Sequence, residues 1–253
     1  MFPFAFFRRL ISRCSVAGLA LALASGVALA GGERTVVELF TSQGCSSCPP
    51  ADEFLTELAD KPNIVALTYN VDYWDYLGWK DTLATAENTK RQKDYAERRG
   101  DGAVYTPQMV IDGIEHVVGS RRGEVERLIA ESRDESRVTR PSLSIERDGR
   151  ELAVRIGGQG LAKQVDATVW FLVVEPRVKV QIQKGENLDK TITYTNVVRK
   201  MVPVGMWRGQ DLEITLPAAE FVQGDKPHGV VLVQEDHGGP ILAATAIVSL
   251  GDE

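Results

Sequence analysis

Residues 35–59 read TVVELFTSQGCSSCPPADEFLTELA. Two cysteines in this stretch lie between a segment with the hydrophobic pattern of a strand and a segment with that of a helix. Four of the first six residues are apolar, a pattern that is typical of a buried strand. From Ala51 onward, apolar side chains recur at the spacing of one helical face. Residues 64–70 form a second apolar run. The order strand, helix, strand predicts a right-handed crossover between two parallel strands.

The two cysteines, Cys45 and Cys48, form a CxxC motif at the predicted start of the helix. This spacing brings the sulfurs within disulfide range, points the first one outward and favours a thiolate at Cys45. A CxxC motif that opens such a unit indicates redox chemistry. A permanent disulfide and half of a zinc site are the alternatives, and zinc is disfavoured because the histidines are dispersed. We therefore predict neither a metal nor a cofactor.

The composition is that of a globular protein of one or two domains: 253 residues, 43% hydrophobic and 25% charged. Asp and Glu outnumber Lys and Arg by 35 to 29, which gives a formal charge of −6. Proteins that bind nucleic acid use a basic field to displace counterions from phosphates, and that field is missing. We therefore expect no nucleic-acid partner.

The first thirty residues have the order of a secretory signal. Arg8, Arg9 and Arg13 precede the apolar run 16–29, and small residues follow up to Ala30. The alternative is a membrane anchor, but 14 helical residues span only about 21 Å of a hydrocarbon core of about 30 Å. We predict cleavage near Ala30, a periplasmic or secreted protein, and no stable membrane anchor afterwards.

The periodicity changes near Pro141. Before it, strand and helix patterns alternate, and after it one strand pattern follows another, which favours a sandwich of antiparallel sheets. We predict a signal peptide over residues 1–30, a CxxC-containing domain over 31–138 and a β-sandwich domain over 139–253.

The CxxC motif between strand and helix, followed by Thr106-Pro107 ahead of a further strand, resembles the thioredoxin fold. The resemblance implies a cis proline that faces the cysteines. It also implies that Cys45 attacks, that Cys48 resolves, and that Pro107 with Thr106 shapes the backbone that receives the substrate. The expected fold class is a thioredoxin-like α/β N-terminal domain followed by an all-β, sandwich-like C-terminal domain.

The sequence around the motif resembles that of a secreted bacterial family called domain of unknown function 1223. The stretches that carry the resemblance are VELFTSQG ahead of the cysteines, PPAD behind them, YWDYLGW at residues 73–79, GEN at 185–187 and NVVR at 196–199. The intervening pair Ser46-Ser47 matches neither the Gly-Pro of typical reductants nor the Pro-His of strong oxidants. The resemblance therefore assigns no direction of electron flow.

An acid and a group of aromatic residues are further candidates for the site. Thioredoxins bury an acid behind the cysteines as a proton relay, and Glu38 is the nearest candidate, with an exposed or edge-strand acid as the alternative. The second parallel strand is followed by four aromatic residues that would rim a substrate groove or pack against the β domain. They are Tyr73, Trp74, Tyr76 and Trp79.

Two functions follow from these observations. The first is an exported thiol-disulfide oxidoreductase that acts on protein thiols or disulfides in the cell envelope. The alternative is a non-catalytic secreted binding module in which the Cys45–Cys48 disulfide is permanent.

Overall fold

The computed structural model describes residues 34–133, 140–158, 165–221, 228–246 and 248–249. The predicted signal peptide and the predicted division between residues 138 and 139 lie outside this set and stay predictions. Among the described residues, no helix combines the length and the apolar character that crossing a membrane requires.

Strands dominate the described chain. The first half contains β1 (Thr35–Thr41), α1 (Pro49–Ala59), β2 (Ile64–Asn70), α2 (Ala86–Arg99), β3 (Gln108–Ile111), β4 (Glu115–Val118) and α3 (Arg122–Ser132). The second half contains β5 (Ser142–Asp148), β6 (Glu151–Gly157), β7 (Ala167–Gln181), β8 (Thr191–Trp207), β9 (Leu212–Pro217), β10 (His228–Glu235), β11 (Ile241–Ala244) and β12 (Val248–Ser249). Short 3₁₀ helices occupy Asp75–Leu77 and Ala218–Glu220.

Nine strands form one mixed sheet in the order β11-β10-β7-β8-β2-β1-β3-β4, with β12 paired to β10. β1 and β2 are parallel along their whole length, as the crossover pattern predicts. β3 is antiparallel to β1. β8 joins the free edge of β2 in parallel, with Thr68 opposite Val197. Strands β5, β6 and β9 form a separate three-stranded sheet.

The predicted fold class, a thioredoxin-like α/β domain followed by a β-sandwich, is wrong. The C-terminal strands continue the N-terminal sheet, because β8 pairs with β2, and the described residues contain only three α-helices. Pro176 interrupts the strand pattern because proline cannot donate to a sheet ladder, but β7 runs through it. Glu175 lies opposite Val197 and Arg177 opposite Thr195, so the register to β8 is unchanged there, and Asn196, between those two partners, has a φ of +51°.

Both faces of the large sheet are covered. Side chains alternate along β1, so that Val37 and Leu39 pack against α1 and α3, while Val36 and Phe40 pack on the side of α2. The three-stranded sheet packs against β7, β8 and β10 through a further apolar cluster that includes Trp207. The strand β1, which leads into the CxxC motif, therefore has packed layers on both of its faces.

A buried ion pair fastens α2 to the sheet. Glu38 lies on the α2 side of β1 with no exposed surface, and its Oε1 accepts a hydrogen bond of 2.8 Å from Nε of Arg91. The other carboxylate oxygen accepts from the hydroxyl of Tyr95. Arg91 also donates to Gln234 of β10 at 3.0 Å. Removing one partner of such a pair leaves a buried charge without compensation.

Glu38→Ala is expected to lower the free energy of unfolding by roughly 3–5 kcal/mol, because Arg91 stays buried without its counter-ion. Glu57→Ala is the matched control, since Glu57 pairs with Arg122 on the surface, where both side chains are about half exposed. Urea unfolding of the two variants measures the difference. Equal losses would contradict the assignment of Glu38 to a buried structural pair.

Candidate functional site

The CxxC motif occupies the turn from β1 into α1. Within this turn the amide of Cys45 donates to the carbonyl of Ser42 at 3.1 Å, and the amide of Cys48 donates to the carbonyl of Cys45 at 3.2 Å. α1 then begins at Pro49, where a missing N–H loses no helical hydrogen bond. Cys45 and Cys48 form a disulfide, with their Cα atoms 5.4 Å apart.

Both cysteines are buried, although the sequence predicts an exposed first sulfur. Cys45 is 2% exposed and Cys48 is fully buried. Helix geometry alone would open Cys45 to solvent. A segment from the second half of the chain lies against the backbone of the motif and is bonded to Cys45 itself.

The covering segment is the loop of residues 182–190 between β7 and β8, here called the hairpin tip. Its Asn187 is fully buried, and Nδ2 donates to the carbonyl of Gln43 at 2.9 Å and to the carbonyl of Cys45 at 2.8 Å. Oδ1 of Asn187 accepts from Nζ of Lys190 at 2.9 Å. The neighbouring Glu186 accepts from the amide of Ser46 at 3.3 Å. The hairpin tip therefore binds the backbone of the motif itself.

Trp74 connects the motif to the predicted substrate backbone. A Cβ added to Gly44 would lie 3.1 Å from Cβ of Trp74, so this close approach favours a residue without a side chain. The indole Nε1 donates to Oγ1 of Thr106 at 2.8 Å. The Thr106-Pro107 bond is cis, as the sequence predicts. Trp74 thus contacts both Gly44, which precedes Cys45, and Thr106, which precedes Pro107.

The other three aromatic residues differ in their surroundings. Trp79 donates through Nε1 to Oε1 of Gln43 at 2.8 Å and packs on the apolar cluster below the hairpin tip. Tyr76 is 77% exposed and stacks on Trp74, with ring centroids 6.4 Å apart. Tyr73 is half-buried, and burial raises its pKa to about 12. Trp74 and Trp79 hold the motif, while Tyr76 faces solvent beside it.

Asp81 braces the motif loop from below. Its Oδ2 accepts from the amide of Gln43 at 2.7 Å and from Nδ2 of Asn70 at 3.0 Å. Its Oδ1 accepts from the amides of Leu83 and Ala84. Burial raises the pKa of Asp81, and these hydrogen bonds oppose the rise. The four donors use all the hydrogen-bonding capacity of the Asp81 carboxylate, so its role is structural.

Asp52 is a site residue that the sequence analysis missed. It lies one helical turn after Cys48, to whose carbonyl its amide donates at 3.1 Å. The side chain is 3% exposed, and neither carboxyl oxygen has a hydrogen-bond partner. Burial raises the pKa of Asp52 well above its usual value, with Asp81 adding to the rise and Thr41 opposing it. These conditions favour the neutral acid.

Further unpaired polar atoms accompany Asp52. The hydroxyl of Tyr194 is buried without a partner, and the buried hydroxyl of Thr41 lies near Asp52, whose pKa it lowers. Burial raises the pKa of Tyr194, and the nearby carboxyls of Asp52 and Asp81 raise it further. This polar group lies on the α1 side of the sheet, whereas Glu38, the predicted proton relay, points to the α2 side. The i, i+4 spacing from Cys48 was the sequence signal for Asp52.

No group of three or more His, Cys, Asp or Glu side chains in the described part of the chain is arranged to hold a metal ion. The groups that the structure brings near the disulfide are instead a buried carboxyl, aromatic rings and backbone carbonyls. They suit thiol chemistry and proton transfer.

Comparisons with known proteins give a family and two similar structures. A family described as "Protein of unknown function (DUF1223)" matches residues 36–234. The crystal structure of protein AGR_C_4864 from Agrobacterium tumefaciens is 36% identical and covers 88% of this chain and 98% of its own, with a TM-score of 0.74. HBP35 of Porphyromonas gingivalis, 9% identical, covers 85% of this chain and 75% of its own with a TM-score of 0.55, a likeness in fold alone. No curated protein matches.

Asn187→Ala is expected to lower the free energy of unfolding by roughly 1–3 kcal/mol, because two buried carbonyls lose their donor. It should also speed reduction of the disulfide by dithiothreitol, since the cover over Cys45 loosens. Leu188→Ala is the control, because its side chain is 53% exposed on the same hairpin tip. An Asn187→Ala protein with wild-type stability and reduction rate would show that the hairpin tip does not hold the motif.

Asp52→Asn is expected to flatten the dependence of stability on pH in the oxidised protein. The folded-state pKa of Asp52 is raised, so its contribution is fully present below the unfolded pKa of about 3.9 and is lost as pH rises through the folded pKa. Urea unfolding at intervals from pH 4 to pH 8 measures the slope. Glu53→Gln, at the exposed neighbouring acid, should keep the wild-type slope. A wild-type slope in Asp52→Asn would contradict a raised pKa.

Proposed function

The chain belongs to the DUF1223 family, and because that description assigns no chemistry, we propose from the site itself that the protein is a thiol-disulfide oxidoreductase. Its redox centre is the Cys45–Cys48 disulfide. The proposal includes export to the periplasm or the cell exterior, with protein thiols or disulfides of the cell envelope as partners. No cofactor takes part in this chemistry.

The observation that carries the proposal is the buried, unpaired acid one helical turn after Cys48. A buried polar group without a partner costs free energy, so a fold that keeps one needs a reason other than stability. Asp52 has two such oxygens, one turn from Cys48. Exchange reactions at a dithiol require a group that supplies and takes back a proton. A neutral acid behind the sheltered cysteine meets that requirement.

The exchange proceeds through a mixed disulfide. A client thiolate attacks Sγ of Cys45, the bond to Cys48 breaks, and Cys48 leaves as a thiolate that takes a proton from Asp52. In the opposite direction, Cys48 returns its proton to the Asp52 carboxylate and attacks Sγ of Cys45, which expels the client thiolate. Oxidation of the client is completed when its second thiolate attacks the client sulfur of the mixed disulfide and expels Cys45 as a thiolate, so that the client forms a disulfide and the cysteine pair gains two electrons.

The surroundings of the motif supply a place for the client backbone. Thr106 and Pro107 form the segment that receives it, and Trp74 holds this segment against the motif loop through its bond to Thr106. The exposed ring of Tyr76 borders the same area. The client reaches Cys45 when the hairpin tip moves aside.

The order of basic, apolar and small residues ahead of Gly31 supports export. An intramolecular disulfide also suits an oxidising compartment outside the cytosol.

A second candidate function is a non-catalytic secreted binding module with a permanent disulfide. The observation that favours it is the 2% exposure of Cys45 beneath Asn187, because exchange needs access to a sulfur.

Cys48→Ser is expected to trap a client as a mixed disulfide with Cys45, because the resolving thiol is gone. Cys45→Ser is the matched control and should trap nothing, since Cys48 is fully buried. Non-reducing electrophoresis of the exported variants, followed by identification of the trapped protein, measures this. If both variants trap equally, or neither traps, the disulfide is structural and the binding module replaces the oxidoreductase.

A further inference from the structure

The hairpin tip brings a carboxylate to the residue between the two cysteines. Oε2 of Glu186 accepts from the amide of Ser46 at 3.3 Å. This contact is not incidental to a loose loop, because the adjacent Asn187 is fully buried and bonded to the carbonyls of Gln43 and Cys45. Gly185, which precedes Glu186, has a φ of +79°, and an added Cβ would lie 3.3 Å from Cβ of Trp79, so the chain is also fixed on this side of Glu186.

The position of Glu186 acts against a thiolate at Cys45. Backbone N–H groups at the start of a helix stabilise a thiolate on the first cysteine. Glu186 engages the amide of Ser46 and so brings a negative charge to the residue next to Cys45. The reduced dithiol, in which Cys45 would carry the charge, is therefore less stable relative to the disulfide.

Other charged groups near the motif do not reverse this effect. Asp52 lies beneath Cys48 in conditions that favour its neutral form. Asp81 is saturated with four donors. The ammonium of Lys190 binds Oδ1 of Asn187 and offsets part of the charge on the hairpin tip. Glu186 is the acid in direct contact with the segment between the cysteines.

We infer that Glu186 is a positioning residue that biases the cysteine pair toward giving electrons to client disulfides. The inference rests on the proposed function and adds the direction in which electrons flow. In this direction the Cys45 thiolate attacks a client disulfide, one client thiolate leaves, and Cys48 displaces the second by closing the Cys45–Cys48 bond. The client gains two electrons and two protons. An external dithiol restores the reduced pair and becomes a disulfide.

Two substitutions at Glu186 separate its charge from its contact. Glu186→Gln keeps an oxygen that accepts from Ser46 but removes the charge, whereas Glu186→Ala removes both. Asp60→Asn is the control, because it removes an exposed charge at the far end of α1. Each full-length protein is equilibrated at pH 8 in glutathione buffers of known ratio, and the reduced fraction is measured by alkylation.

Both Glu186 variants should raise the ratio of reduced to oxidised protein by about fivefold at low salt, the effect of one unit charge a few ångströms away in a solvated setting. The midpoint of Cys45 alkylation should shift to lower pH in both. About 1 M NaCl should shrink the difference from wild type, because it shortens the Debye length to about 3 Å. Asp60→Asn should match wild type.

Three outcomes would overturn the inference. If Glu186→Gln matches wild type while Glu186→Ala differs, the contact matters and the charge does not. If both match wild type, Glu186 has no role in the direction of exchange. If wild-type protein does not equilibrate with glutathione at all, the oxidoreductase proposal itself fails, and the inference fails with it. The first two outcomes leave the oxidoreductase proposal standing.

Discussion

The pairing of β8 with the edge of β2 joins the two halves of this chain in one sheet. Besides the backbone register at Thr68 and Val197, Oγ1 of Thr68 donates to the carbonyl of Thr195 at 2.6 Å, and Nδ2 of Asn196 donates to the carbonyl of Ala66 at 3.0 Å. Because β8 is fixed there, the hairpin tip that precedes it comes to lie over the cysteines. The cover on Cys45 is thus a consequence of sheet topology.

Two acids in different settings then give the site its character. Asp52 is buried one helical turn after Cys48, where burial favours its neutral form. Glu186 lies at the surface and accepts from Ser46. In the proposed function the first acid exchanges a proton with Cys48, and in the further inference the second opposes negative charge on Cys45. The two proposals thus give the two carboxyls different roles because they differ in burial.

Local pattern predicted the local features of the site. The parallel pairing of β1 with β2 and the start of α1 behind the cysteines followed from short stretches of sequence. The cis bond before Pro107 was implied by the resemblance to the thioredoxin fold. The expected fold class, a thioredoxin-like domain followed by a β-sandwich, was wrong, because β2 and β8 pair across more than 120 residues and the periodicity of neither segment indicates that pairing. Asn187 and Asp52 were missed for related reasons. Their roles depend on burial by elements distant in the chain, and neither Asn nor Asp is a residue type from which burial is predicted.

The central claim is that the Cys45–Cys48 disulfide is a working redox couple. Its reduction potential, measured in the native protein against defined dithiol and disulfide buffers, tests that claim most directly. The account predicts a potential above about −300 mV, in the range of dithiol proteins that exchange electrons with partners. A potential below about −300 mV, together with resistance to dithiothreitol while the protein stays folded, would identify the disulfide as a permanent cross-link and contradict the account.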